Sequence, residues 1–237
     1  MPIHNEELWL PRSLGKLRKA DITHFVALLD RCTDRSRHIM LKWQNMELPF
    51  KVNIYYRSSV LWSNPIAEAF EFLCKRVETD LIYLVNADHL VDTRIFSLTH
   101  WQNADLLSFE MQYPNDSMKH AYENILIRIY DSFNPKSQNG LLAFKRKVWE
   151  SVHFEDSVSP SNAFIGKAIQ HGFRHNFIKS FRNIHLHAKM TKRKQIMQGT
   201  YRATHGTGLS RTLFHSALHF EPYTIRGYVQ GKKTVKP

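Results

Sequence analysis

Residues 80–89 read Asp80-Leu81-Ile82-Tyr83-Leu84-Val85-Asn86-Ala87-Asp88-His89. An uninterrupted apolar run of this length, Leu81 to Val85, reads as a strand buried on both faces, the pattern of a parallel sheet. The polar turn Asn86-Ala87-Asp88-His89 follows it at once. Working outward, His24–Leu29 is a second apolar run closed by an acid, Asp30. Lys51–Tyr56 alternates and is rich in Val, Ile and Tyr. Leu106–Tyr113, Gly140–Phe144 and Phe173–Phe181 complete the strand candidates. Between them apolar residues recur at helical spacing. Leu10, Leu14 and Leu17 form one set. Ile66, Phe70, Leu73 and Val77 form another, opened by the cap-and-proline pair Asn64-Pro65. Ile95, Leu98 and Trp101 make a shorter set, and Tyr122, Leu126, Ile129 and Phe133 a further one. Strands alternating with helices predict an α/β fold with a mostly parallel sheet.

Such sheets bind ligands outside the carboxyl ends of their strands. Two acid-bearing turns sit there. One is Asp30-Arg31-Cys32-Thr33-Asp34-Arg35-Ser36; the other holds Asn86 and Asp88. One carboxylate can accept from a base or ribose. The other can hold Mn²⁺ or Mg²⁺, which favour oxygen donors and complete their shells with phosphate and water. The plainer reading of Asp30 and Asp34 is that they cap a turn and a helix.

Taken in order, these motifs resemble the inverting family-2 glycosyltransferases of GT-A fold. Met1-Pro2-Ile3-His4-Asn5-Glu6-Glu7 is similar to that family's first-strand exit. Asp30 to Ser36 is similar to its Asp-x-Ser/Cys-Thr-Asp-x-Ser/Thr loop, and Asn86-Ala87-Asp88 stands where its Asp-x-Asp metal motif belongs. Gly140 to Arg146 resembles the acceptor-side strand that enters a helix. The resemblance covers residues 1 to about 187 and implies a GT-A catalytic domain over 1–188, with the first strand truncated. It implies a nucleotide-sugar donor held around Pro2, His4, Glu6, Glu7, Asp30, Asn86 and Asp88. It also implies a divalent metal on Asp88, and an acceptor that is a sugar or a lipid-linked molecule. In His185-Leu186-His187 one ring would complete the metal shell, and His187 is the one assigned. His89 reads either as an extra ligand or as a supporting histidine.

The chain departs from the pattern at two places. Asn86 replaces the first acid of the metal motif, which removes one charge. The Glu-Asp pair that usually supplies the general base falls on Pro160-Ser161-Asn162, so Asp156, or else Glu155, is expected to act as base. Both departures also fit an inactive nucleotide-sugar-binding relative. A nucleotidyltransferase would show a glycine-rich phosphate loop near the first strand, and none is present.

The net charge of +12 is unevenly spread: 189–237 carries +9 and the rest +3. This basic extension, with Leu209, Leu213, Phe214, Leu218 and Phe220 interleaved, suits an anionic membrane surface or an ordinary helix packed with its charges outward. No nucleic-acid motif accompanies it, so a nucleic-acid partner is not expected. Cys32 and Cys74 form no metal-type pair and no disulfide framework. With no signal peptide and no run of apolar residues long enough to span a bilayer, the expected setting is cytoplasmic, at the membrane face if the extension binds there.

Overall fold

A computed structural model describes residues 1–112, 125, 141–157, 159–186, 196, 199–200, 202–203, 208–218 and 222–234. The chain divides into two compact units, Met1–Pro114 with Tyr130–His187, and Asn115–Ile129 with Ala188–Pro237.

In the first unit β1 (Pro2–Ile3), β2 (His24–Asp30) and β3 (Lys51–Arg57) pair in parallel, with β2 central. Between them lie α1 (Leu10–Leu17) and α2 (Ser36–Gln44), and α3 (Pro65–Cys74) follows. β4 (Leu81–Leu84), β5 (His89–Leu90), β6 (Leu106–Gln112), β7 (Leu142–Lys145) and β8 (His175–His185) form a second sheet in the order β4-β7-β6-β8-β5. In this second sheet only β6 and β8 run parallel; the other three pairings are antiparallel. α4 (Arg146–Val152) and α5 (Pro160–Gln170) precede β8.

The strand sequences explain the layering. Successive side chains of a strand point to opposite faces. Phe25, Ala27 and Leu29 of β2 therefore join α1, α2, Phe109 and Ala143 in one core, while Val26 and Leu28 pack on Ala69 and Leu73 of α3. Ile82, Leu84, Leu142 and Phe144 meet α3, α4 and α5 in a third cluster, where Phe154 stacks on Phe164 with centroids 4.3 Å apart. A strand buried on both faces needs apolar residues throughout, which is why β2 and β4 read as continuous runs.

Most expected elements are present, with ends shifted by one or a few residues. The Asn64 cap forms as expected, its side chain accepting from the Ile66 amide at 3.0 Å. The Ile95–Trp101 helix is instead two 3₁₀ turns, Thr93–Phe96 and Leu98–Trp101. Ser97, extended at φ −64° and ψ 135°, interrupts the turn and caps the second one through Thr99. The expected helix around Tyr122 to Phe133 falls almost wholly outside the described residues, as do Tyr113 and Gly140.

A cavity of about 320 Å³ lies between the amino end of β2 and β4, lined by Phe25, Val26, Cys74, Leu81 and Tyr83. The second unit contains α6 (Leu209–Leu218) and α7 (Pro222–Thr234). α7 meets Ile196, Gly199 and Thr200 backbone to backbone. A Cβ on Gly227 would lie 1.9 Å from the Ile196 carbonyl oxygen, and one on Gly199 equally close to that of Thr224. Glycine is required at such a crossing because any side chain would force the helices apart. Among the described residues no helix is long and apolar enough to cross a membrane.

Candidate functional site

The first shelf of the site is made by the loops leaving β1 and β2. Asn5, at φ 55°, turns its Oδ1 to accept from the Thr33 amide at 2.7 Å. The Glu7 carboxylate accepts from the Arg35 amide at 3.0 Å and its guanidinium at 3.2 Å. The Glu7 amide donates to Asp34, whose other oxygen accepts from the Ser36 amide, both at 2.9 Å. Glu6 donates through its amide to Ser36 Oγ, and His4 Nδ1 lies 2.6 Å from the Asp30 carbonyl oxygen. The two loops thus form one laced surface, with Pro2 buried beneath it.

Asp30 is engaged within the protein. Its carboxylate is taken up by two guanidiniums. Arg57 approaches at 3.0 and 2.7 Å, and Arg31 at 2.9 and 3.2 Å. That occupies the four acceptor positions of a carboxylate, so accepting from a nucleobase would require Arg31 to swing away. The cause is register: Arg57 ends β3 directly opposite Asp30 on β2. Burial alone would push the Asp30 carboxyl up. The hydrogen bonds from Arg57 and Arg31 outweigh it and hold the carboxyl below the usual range. Arg57 also reaches Glu68 at 3.3 Å, closing a buried network at the carboxyl ends of β2 and β3.

A second group of side chains lies behind β4. The Asn86–His89 turn is closed by the His89 amide donating to the Asn86 carbonyl, and is anchored by Ser13 Oγ of α1, which donates to the Ala87 carbonyl at 2.6 Å. β8 arrives from the other side. Between Ile178 and Asn183 it takes five steps while β6 takes two from Phe109 to Met111. Beyond this bulge β8 pairs with β6 in a shifted register and brings His185 opposite His89. His185 Nε2 lies 2.8 Å from Asp88 Oδ2, and His89 Nε2 3.6 Å from Asp88 Oδ1. The two rings stand edge to face with centroids 5.0 Å apart. One ligand atom from each of Asp88, His89 and His185 falls within 4.8 Å of the others.

His89 is 1% exposed. Burial pushes its imidazolium down to about 3, against the pull of Asp88, so the ring is neutral at any ordinary pH. Its Nδ1 and the Asn86 Oδ1 are buried without a hydrogen-bond partner among the described residues. Of the expected histidine pair, His185 is the ring beside Asp88. His187 lies outside the described residues.

The two carboxylates expected to act as base are elsewhere engaged. Asp156 accepts from the Ser63 amide at 2.7 Å, the Ser63 hydroxyl at 2.8 Å and the Asn64 amide at 2.8 Å. These bonds, the Ser63 amide first, hold its carboxyl below the usual range. Glu155 is exposed and ion-paired with Lys167. Asp156 thus clasps two loops through Ser63 and Asn64.

No family model and no curated protein matches the sequence. Solved structures do match. A mannosyltransferase from Pyrobaculum calidifontis, in complex with GDP-Man and Mn²⁺, superposes over 100% of this chain and 74% of its own, with a TM-score of 0.65 and 14% identity. Glucosyl-3-phosphoglycerate synthase from Mycobacterium tuberculosis covers 89% of this chain and 77% of its own, at 0.61 and 13%. TarS of S. aureus, residues 1–349, covers 84% and 63%, at 0.56 and 16%. The chain has the GT-A fold. Asp88 stands just after β4, and β8 carries His185 to it. Sequence reasoning missed Arg57. Its position one strand over from Asp30, at the same strand end, was the available signal.

Proposed function

We propose that this chain is a divalent-metal-dependent glycosyltransferase, moving a sugar from a nucleoside diphosphate donor to an acceptor hydroxyl, with inversion as its family resemblance implies. The observation that carries the reading is the meeting of Asp88, His89 and His185 behind β4. The Asp88 carboxylate and the His185 imidazole, 2.8 Å apart, suit a divalent ion, and Asn86 Oδ1 of the same turn is buried without a hydrogen-bond partner among the described residues. The solved relatives' complexes with GDP-Man and Mn²⁺, and with UDP and Mn²⁺ or Mg²⁺, support the same reading. A bound Mn²⁺ or Mg²⁺ would neutralise the charge that develops on the leaving diphosphate.

The chain's own residues supply the rest. Asp88 and His185 would hold the ion. The laced loops 4–7 and 31–36 would serve as a preformed floor for the nucleoside, so little ordering is left to the moment of binding. Arg31, at φ 52° and one-third exposed, is a cation on this floor, suited to an anionic or carbonyl-bearing group. The acceptor hydroxyl must still lose a proton. Of the loop carboxylates, Glu155 is the one whose oxygens are not committed to backbone amides, and we assign it the base in place of Asp156. The +9 stretch 189–237 suits an anionic or lipid-linked acceptor, and a cytoplasmic setting at a membrane face belongs to this same proposal.

The test is thermal stabilisation by a panel of nucleotide sugars with and without Mn²⁺. A donor at a hundred times its Kd should add about 2.7 kcal/mol to stability. The stabilisation should require Mn²⁺ and disappear in Asp88→Ala. If no nucleotide sugar stabilises the protein with the metal present, the reading is wrong. Donor stabilisation without turnover would favour the inactive relative, a reading that Asn86 in place of an acid independently supports.

A further inference from the structure

His89 is the residue that the reading so far leaves over. A fully buried imidazole normally satisfies both nitrogens. Here Nδ1 has no partner among the described residues, and Nε2 has only Asn86 Nδ2 at 3.5 Å and Asp88 Oδ1 at 3.6 Å, the first at the outer limit of a hydrogen bond and the second beyond it. Neither tautomer repairs this. With the proton on Nδ1, a buried donor is unmet; with it on Nε2, a buried acceptor is unmet. Each costs about 1–3 kcal/mol in an ordinary core. The ring is also fixed in place, its backbone amide closing the Asn86 turn and its strand paired with β8 at His185. With the proton on Nδ1, the Nε2 lone pair is held rigidly and dry 3.6 Å from Asp88 Oδ1, its ring edge to face with that of His185, and it is a preorganised metal donor.

We propose that His89 is itself a metal ligand, so that the site offers three protein donors, one carboxylate oxygen from Asp88 and two imidazole nitrogens from His89 and His185. The proposal rests on the metal site assigned above and gives it a chemical identity. Asn86 withholds the second carboxylate, and the missing charge is replaced by a neutral nitrogen. Oxygen-rich sites suit Mg²⁺, whereas imidazole donors favour the later divalent ions, in the order Mn²⁺, Co²⁺, Zn²⁺ that nitrogen sites follow. The site therefore selects transition-metal ions over Mg²⁺ through its two histidines.

The full chain, stripped with chelator, is titrated with Co²⁺ while its visible d–d absorption is followed, and Mg²⁺ is used as competitor. Wild type should bind Co²⁺ roughly a hundredfold more tightly than Mg²⁺. His89→Leu, which keeps the buried volume apolar, should lose most of that preference, and Asp88→Asn should lose binding itself. Zn X-ray absorption of the wild-type protein needs no variant and counts the imidazoles directly. Two support the proposal; one or none overturns it. Co²⁺ binding unchanged in His89→Leu also overturns it, and leaves the Asp88 site standing. Should neither ion bind wild type, even with GDP or UDP present, the metal site and the function built on it fail together.

Discussion

Replacing Asp30 by alanine tests the network at the strand ends. The substitution removes the acceptor of four guanidinium hydrogen bonds, two from Arg57 and two from Arg31. The two guanidiniums are placed differently. Arg31 is one-third exposed and can return to water. Arg57, 9% exposed, cannot, and is left with Glu68 and the Pro65 carbonyl. Breaking a buried pair by removing one partner costs about 3–5 kcal/mol. Because Glu68 stays, the lower end is expected, about 3 kcal/mol. At about 2–4 °C per kcal/mol for a chain of this size, Tm should fall by roughly 6–12 °C. The effect carries a pH signature. The Asp30 carboxyl is held below its unfolded value near 3.9, so its contribution is full above that value and is lost as pH falls through the folded one. The gap between wild type and variant in urea unfolding should be widest near pH 7 and narrow below about pH 4. Equal stability at neutral pH, or a gap that does not change with pH, would refute the argument.

Asp156→Asn should lower kcat by less than about tenfold, because its carboxylate is committed to Ser63 and Asn64. A loss in the range of about 10²–10⁴, usual for a general base, would restore it to that role. In the same assay Glu155→Gln is expected to show the larger loss with donor affinity unchanged. Glu71→Ala strips the acceptor from the Trp149 indole at 2.8 Å and the Phe154 amide at 3.1 Å, both buried. It should destabilise the protein by about 2–4 kcal/mol in chemical unfolding, each orphaned donor costing about 1–3. An unchanged midpoint would mean that water or a shifted side chain replaces the carboxylate.

The α/β alternation was legible because periodicity is a local property. β2 and β4 declare themselves as buried strands, and Asn64-Pro65 as a helix start. Asp88 was legible as a candidate too, since it stands in the polar turn that follows a buried strand. Other features depend on partners distant in the chain. That Asp30 would be spent on Arg57 depends on the parallel register of β2 with β3. That His185 faces Asp88 depends on the bulge after Ile178, which no turn residue announces. Asp156 looked free because Ser63 and Asn64, its partners, stand in an unremarkable stretch of sequence. Ile95 to Trp101 carried a helical period, yet Ser97 breaks it by capping from within.

The Asp156 clasp also bears on how the chain assembles. Its two halves are separated by 93 residues in Ser63 and Asp156, with β4 to α4 lying between them. A contact closed over so long a loop carries a large closure cost until the intervening strands have paired, so it is expected to form after the rate-limiting step. Interactions made that late act on the way out rather than on the way in. Loosening the clasp should leave the refolding rate nearly untouched and speed unfolding. The loop between α4 and α5 then serves as a catch on the finished domain, setting how long it stays folded and contributing little to how fast it gets there.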